Sequence, residues 1–475
     1  MGARVWLRRL CAGAIAGLGL ALLPAGVSAG GVTTYTGTTT ETSGLVSHYK
    51  IEVPSPWNGT LVLYSHGYSF GPSAATDVGD PATGTWLLDH GYALAGSSYA
   101  TSGWALQQAF QDQIAVLDAF DGLKLGHPTR TIAWGHSLGG MITAGLVQLF
   151  PNRFTAALPM CGVVAGGPGV WNQGLDSEFA LATLMPSPAF KLINFTSLGD
   201  AATNDAIAQN ALSAAQATPA GKARIALSAA LADVPGWFAA GSPEPSPTDF
   251  AAQEANQFLW DSQVDFAFGF FGRFELEQRA GGNYSWNTGV NYRVQLSHSV
   301  DFAEVKGLYA AAGLDLNRDL DTLNDAARIS ANPAAAAYVT KYITYNGDLD
   351  IPVLTLHTTG DGLVEVTDEN AYASVARSAG DNSLLRQVFV HRAGHCTFTP
   401  AETISAFKTL INRLDTGRWQ DSTNPGTMNA KATALGPAFN IFQLPDKTIV
   451  PMPASFINFH PDRFLRPFDA RNVMD

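Results

Sequence analysis

Gly135-His136-Ser137-Leu138-Gly139 sets a serine midway between two glycines, the G-x-S-x-G spacing of a nucleophilic serine. Its mechanics need a sharp strand-to-helix turn that pushes the hydroxyl clear of the backbone. Glycines at both ends let that turn form without Cβ clashes. In a chain with 47 glycines the bare pattern is weak, and it recurs at Gly67-Tyr68-Ser69-Phe70-Gly71. Context separates the two. Ser137 follows the apolar run Thr131-Ile132-Ala133-Trp134 and precedes a helix-like stretch at 141–150. Ser69 runs into Gly71-Pro72-Ser73, which cannot open a regular helix in the same way. Ser137 is therefore the candidate nucleophile.

A serine hydroxyl needs an imidazole to take its proton, and the imidazole needs a carboxylate to fix its tautomer and stabilise its cation. Ten histidines are available. His395 lies in Ala393-Gly394-His395-Cys396, after a strand-like run at 385–390 and before a helix-like segment at 401–414. The preceding glycine lets this loop bend back towards the serine; His391, nearer the strand end, lacks it. For the acid, Asp361 sits between Gly360 and Gly362 just beyond a β-rich run, with Glu365 and Asp368 as fallbacks. A turn aspartate capping its own loop is the plainer alternative. The order Ser137, Asp361, His395 favours the catalytic one.

The elements that must position these groups alternate. Short apolar runs at 60–64, 92–97, 131–134, 156–160, 351–357 and 385–390 read as strands, with amphipathic segments at 105–123, 141–150 and 401–414 between or after them. Such alternation predicts a parallel sheet covered on both faces. From about 163 to 346 the texture changes. Ala-rich stretches at 201–240, 308–312 and 334–338 read as helices, broken by Pro-rich turns such as 241–245. Residues 265–274 carry five phenylalanines, either as internal helix packing or as an apolar wall over a cleft.

On these motifs and their order the chain resembles the α/β-hydrolase superfamily across about 50–165 and 345–415. The resemblance implies a mostly parallel central sheet flanked by helices, with a large, mainly helical cap inserted before the strand bearing the acid. The expected division is a catalytic domain at 30–165 and 346–475 and a cap at 166–345. It also implies an oxyanion hole made by backbone N–H donors: Leu138 after the nucleophile, and Tyr68 in the His66-Gly67 loop that follows an early strand. On this reading the second G-x-S-x-G match is the oxyanion loop. Tyr99 or Trp104, after the strand at 92–97, either lines the cleft or simply packs. Cys161 and Cys396 fall beside the proposed site and are a candidate disulfide, two buried free thiols being the alternative. Tannases and feruloyl esterases of this superfamily also tie a catalytic loop by a disulfide, but with a cysteine before the serine, where this chain has His136.

Composition limits the rest. The chain has 475 residues, 46% hydrophobic and 14% charged, enough for a large core and an insertion. Arg4, Arg8 and Arg9 precede an apolar run at 10–23, and Val27-Ser28-Ala29 offers small residues for cleavage, so 1–29 reads as an export signal. Its removal takes three arginines and no acids, shifting the formal charge from −12 to −15. So acidic a surface repels nucleic acid. No stable membrane insertion is expected after cleavage, and no phosphate loop, zinc motif or paired C-x-x-C is present, so neither metal nor cofactor is expected. The reading is a secreted or periplasmic serine hydrolase acting on a small-molecule or polymeric carboxylic ester. A peptidase or aminopeptidase of the same fold, and less so a non-catalytic envelope binding protein, are the alternatives.

Overall fold

The computed structural model describes residues 31–185, 188–444 and 446–468; the expected export signal at 1–29 lies outside them. The described strands are β1 (Val32–Thr40), β2 (Val46–Pro54), β3 (Thr60–Ser65), β4 (Ala93–Ser97), β5 (Arg130–His136), β6 (Ala156–Met160), β7 (Val353–Gly360), β8 (Leu385–Ala393), β9 (Ile441–Gln443), β10 (Ile449–Pro451) and β11 (Phe456–Ile457). One sheet runs in the order β1-β2-β4-β3-β5-β6-β7-β8-β11, and β9 with β10 forms a separate ribbon. Every pairing from β4 to β8 is parallel, while β1, β2 and β11 join antiparallel at the two edges. This is the α/β-hydrolase architecture.

The central strands are near-continuous apolar runs because both faces of the sheet are covered. In β3, Leu61 and Leu63 face one core with Phe110 and Phe120 of α2 (Leu106–Gly122) and Ile142 of α3 (Leu138–Leu149). Val62 and Tyr64 face the other, with Trp86 of α1 (Pro81–Asp89) and Phe407 further along the chain. Strand periodicity of two thus feeds two cores at once, each buried leucine contributing about 2 kcal/mol.

Between β6 and β7 lie α4 (Gly167–Leu184), α5 (Leu198–Gln216), α6 (Pro219–Ala230), α7 (Phe250–Trp260), α8 (Arg273–Ala280), α9 (Tyr292–His298), α10 (Phe302–Ala312), α11 (Leu316–Asp325) and α12 (Pro333–Lys341). The Ala-rich stretch at 201–240 is not one helix. Thr218 caps α6 by accepting from the Gly221 amide, Pro219 occupies its first turn, and the chain beyond Ala230 is irregular up to α7. α7 continues through π-helical turns at Asp261–Asp265 and Ala267–Gly272 into α8. After β7 follow α13 (Asp368–Ala379), β8, α14 (Pro400–Thr416) and α15 (Pro425–Thr433). α14 starts with a complete capping box, Thr399 and Glu402 bonding each other's backbone amides. No described helix is long and apolar enough to cross a membrane.

Candidate functional site

Ser137 joins β5 to α3 at φ 59°, ψ −126°, a left-handed conformation that side chains rarely adopt. Its neighbours explain how the turn fits. β5 pairs with β3 so that Gly135 lies opposite Ser65, and a Cβ on Gly139 would stand 2.0 Å from the Ser65 carbonyl oxygen. Only glycine permits that approach, so the α3 N-terminus presses against the end of β3. The rival Ser69 lies in an irregular loop where its hydroxyl donates to the Gly71 carbonyl (2.5 Å).

Asp361 and His395 follow the C-terminal ends of adjacent strands β7 and β8, at the same sheet edge as Ser137. His395 Nδ1 and Asp361 Oδ2 are 2.7 Å apart, and Asp361 Oδ1 accepts from the amides of Leu363 and Val364 at 3.1 Å each. The carboxylate is fully enclosed, while the His395 side chain is 19% exposed. Nδ1 therefore carries the proton and Nε2 is the basic nitrogen. Nε2 lies 3.4 Å from Cys396 Sγ, and Ser137 Oγ makes no hydrogen bond to any described residue. The other acids and imidazole fall elsewhere. Glu365 lines the cavity described below, Asp368 accepts from the Ala165 amide, and His391 is exposed beside Glu244 and Trp237.

Cys161, just past β6, and Cys396 are joined by a disulfide. Both have positive φ, 42° and 55°, so the crosslink clamps two strained turns between Ser137 and His395. His136 is half-buried beneath this edge, and desolvation together with the nearby His395 charge pulls its pKa down to about 4. It stays neutral.

The amides of Tyr68 and Leu138 have no acceptor among the described residues. Both residues line a cavity of about 120 Å³ that also contains Ser137. Its walls include Trp104, Phe266 and Phe268. The phenylalanine-rich segment is therefore divided: Phe266 and Phe268 reach the cavity, and Phe270 packs with Phe266 inside the helical region. Trp104 reaches the cavity too. Tyr99 does not, but stacks on His66 (3.9 Å between ring centres) and donates to the His66 carbonyl, bracing the loop that carries Tyr68.

Sequence reasoning passed over four polar groups that line the same cavity: Glu178, Asp261, Asp265 and Arg273. Desolvation pushes Glu178 up to about 7 and Asp261 up to about 8, and holds Asp265 well above the usual carboxylate range. A lone arginine amid five phenylalanines was a signal in the sequence; the acids gave none. Among the described residues no group of three or more His, Cys, Asp or Glu is arranged to hold a metal ion.

Known proteins resemble this chain in sequence and in structure. The prolyl oligopeptidase family matches residues 90–166. An esterase from Aspergillus oryzae is similar in structure, with a TM-score of 0.44 and 14% identity over 81% of this chain and 80% of that one. Feruloyl esterase B from Aspergillus oryzae has a TM-score of 0.41 and 13% identity over the same shares. The o-phthalyl amidase of Xanthobacter agilis is 31% identical over 415 residues, covering 82% of this chain and 89% of the amidase. The chain belongs to the family of that amidase, within the serine hydrolases of the α/β-hydrolase fold.

Proposed function

We propose that this protein is an exported enzyme that hydrolyses carboxylic esters and amides of aromatic acids through an acyl-enzyme on Ser137. The observation that carries the reading is Ser137 at its strained turn, facing an aromatic-walled cavity beside two amide donors that lack acceptors. In the first step Ser137 Oγ attacks the acyl carbon while His395 Nε2 takes its proton. Asp361 holds the resulting imidazolium, and the amides of Tyr68 and Leu138 receive the negative oxygen, each donor being worth about 3 kcal/mol of barrier. His395 returns the proton to the departing alcohol or amine. Water, deprotonated by the same nitrogen, then releases the acid. This reading requires a hydrogen bond from Oγ to Nε2 to form as the substrate seats.

A serine that cleaves an amide also cleaves the matching activated ester, because the alkoxide is the better leaving group. The amide bond is favoured as the physiological target by the activity named for the 31%-identical relative. Fluorophosphonate labelling, lost in Ser137→Ala, tests the nucleophile. Parallel assays on phenyl benzoate and benzanilide test the bond. Turnover should fall by about 10⁶ in Ser137→Ala, and a loss of less than about tenfold excludes this serine.

A further inference from the structure

Arg273 is an unusual occupant of an aromatic cavity. It is fully buried, and its guanidinium lies between the rings of Trp171 and Tyr284, 5.4 and 5.5 Å from their centres. Nη1 donates to Ser285 Oγ at 3.0 Å. Nε and Nη2, which form the other edge of the guanidinium, have no hydrogen-bond acceptor. The nearest carboxylate oxygen, Glu178 Oε2, is 3.5 Å from Nη2 and is itself unpartnered. A cation with two coplanar donors that make no hydrogen bond, one of them 3.5 Å from Glu178, therefore lines the small space that also holds Ser137.

We propose that Arg273 is the specificity residue of this cavity and takes a carboxylate carried by the aromatic acyl group whose carbonyl is presented to Ser137. The proposal rests on the reading of Ser137 as nucleophile. A planar carboxylate meets the Nε–Nη2 edge with two parallel hydrogen bonds, the geometry for which arginine is suited and lysine is not. The volume agrees: about 120 Å³ is of the order of the cavity, roughly 150 Å³, that accepts a benzene ring in another protein.

The acids facing Arg273 do not reverse this choice. Glu178 and Asp261 are pushed up to about 7 and 8 by desolvation, and Asp265 and Glu365 are held well above the usual range. Desolvation thus works against ionisation at Asp265 and Glu365, and near neutral pH Asp261 is mainly neutral and able to donate. Glu277, also close to Arg273, is occupied by the Asn194 and Phe195 amides. The neighbouring phenols of Tyr284 and Tyr68 stay un-ionised, desolvation holding them above the usual range. A ligand cation here would instead stand against a fixed guanidinium. As pH rises, Glu178 and then Asp261 ionise and compete with the ligand carboxylate, so its binding weakens between pH 7 and pH 9.

The test uses the full chain and anilides of benzoic acid, of 2-, 3- and 4-carboxybenzoic acid and of 4-(aminomethyl)benzoic acid, with phenyl esters of the benzoic, 3-carboxy and 4-carboxy acids. At least one carboxylated substrate should exceed the benzoyl parent by about 100-fold in kcat/KM. That ratio should approach one in Arg273→Gln and rise by about tenfold in Glu178→Gln, which frees the guanidinium without removing it. Phthalate, isophthalate and benzylamine binding to Ser137→Ala, by calorimetry at pH 7 and pH 9, reads the site without turnover. Tight dicarboxylate binding at pH 7 that weakens at pH 9 supports the proposal. A protein labelled at Ser137 that shows no carboxylate preference, or prefers the aminomethyl substrate, overturns the role of Arg273 alone. A protein that cannot be labelled overturns the nucleophile first. If Arg273→Gln does not fold, an unchanged or lowered ratio in Glu178→Gln overturns the proposal by itself.

Discussion

His357 Nε2 lies 3.7 Å from Asp361 Oδ2, the same oxygen that accepts the hydrogen bond from His395 Nδ1. The ring is fully buried in β7, with Nε2 2.9 Å from the Val364 carbonyl and Nδ1 3.1 Å from Glu369 Oε1. A carbonyl can only accept, and an ionised carboxylate can only accept, so both ring nitrogens donate and His357 is an imidazolium. Burial alone would pull its pKa down, but the hydrogen bond and charge of Glu369, with the charge of Asp361, push it up to about 9. Glu369 is held in turn by Thr355 and Gln387. Desolvation holds Asp368 well above the usual carboxylate range, and the His357 charge partly offsets it by lowering the pKa of that acid.

Removing either partner of this buried pair should cost about 3 kcal/mol or more of stability, since the other is left uncompensated. The folded pKa of His357 is raised above its unfolded value near 6.5. The contribution is therefore complete below about pH 6.5 and is lost as pH rises through about 9, amounting to about 3 kcal/mol. Denaturant unfolding of the wild-type chain and of His357→Gln at pH 6.5 and pH 10 checks this. The difference between the two proteins should shrink at the higher pH. In the His357→Gln, Glu369→Gln pair the double change should cost less than the sum of the single ones. Equal penalties at both pH values would mean that His357 is neutral.

The disulfide predicts a linked loss of stability and activity. It closes a loop of 235 residues, for which chain entropy gives a stabilisation of about 5.5 kcal/mol. It also holds the positive-φ turns at Cys161 and Cys396, and Cys396 adjoins His395. Cys161→Ser should behave like mild reduction, lowering the unfolding midpoint and reducing kcat more than it raises KM. Full activity after reduction, with free thiols verified by titration, would show that the clamp is dispensable for catalysis.

Two glycines near Ser137 separate folding from the proposed chemistry. A Cβ on Gly139 meets backbone atoms of Ser65 and His66 at 2.0–2.7 Å, which no side-chain rotation relieves. Gly139→Ala should cost about 3 kcal/mol or prevent folding. A Cβ on Gly67 meets the Ser137 Cβ at 3.3 Å and the His136 carbonyl at 3.4 Å, contacts that a small shift absorbs. Gly67→Ala should therefore fold, with turnover reduced by about 10²-fold as the Tyr68 donor is displaced. The pair is read by melting temperature and by kcat. The assignment of the oxyanion loop is sunk by a Gly67→Ala protein of wild-type activity.

The placement of the candidate residues was legible because the turns that carry them and the strands beneath them leave local signals. Glycines around Ser137 and before His395 mark turns, and apolar runs of four to seven residues mark strands buried on both faces. β1 escaped notice because Val-Thr-Thr-Tyr-Thr-Gly-Thr-Thr-Thr has no apolar face, and it lies largely exposed at the sheet edge. β11 is two residues long and is defined only by its pairing with β8. The cap helices were visible as alanine-rich texture, but their ends depend on caps such as Thr218 that composition averages away. His357 was hidden for another reason. Its partner Glu369 is twelve residues away on α13, and only the packing of that helix against β7 and β8 brings the two charges together.

The last prediction concerns the tautomer of His395. Asp361 Oδ1 accepts two backbone amides, from Leu363 and Val364. In Asp361→Asn those amides retain the side-chain oxygen, so the NH₂ group must face His395 Nδ1. Nδ1 then becomes the acceptor and the proton moves to Nε2, the nitrogen that should take the proton of Ser137. The variant should fold normally and still be slow, with kcat reduced by about 10⁴. Nitrogen NMR of the ring should show the proton on Nε2 in the variant and on Nδ1 in the wild-type protein. Glu365→Gln, which changes an acid of the same loop without touching His395, should not move the tautomer. A variant Asp361→Asn within tenfold of wild-type turnover would mean that another carboxylate orients the base, and Glu365 would be the next to test.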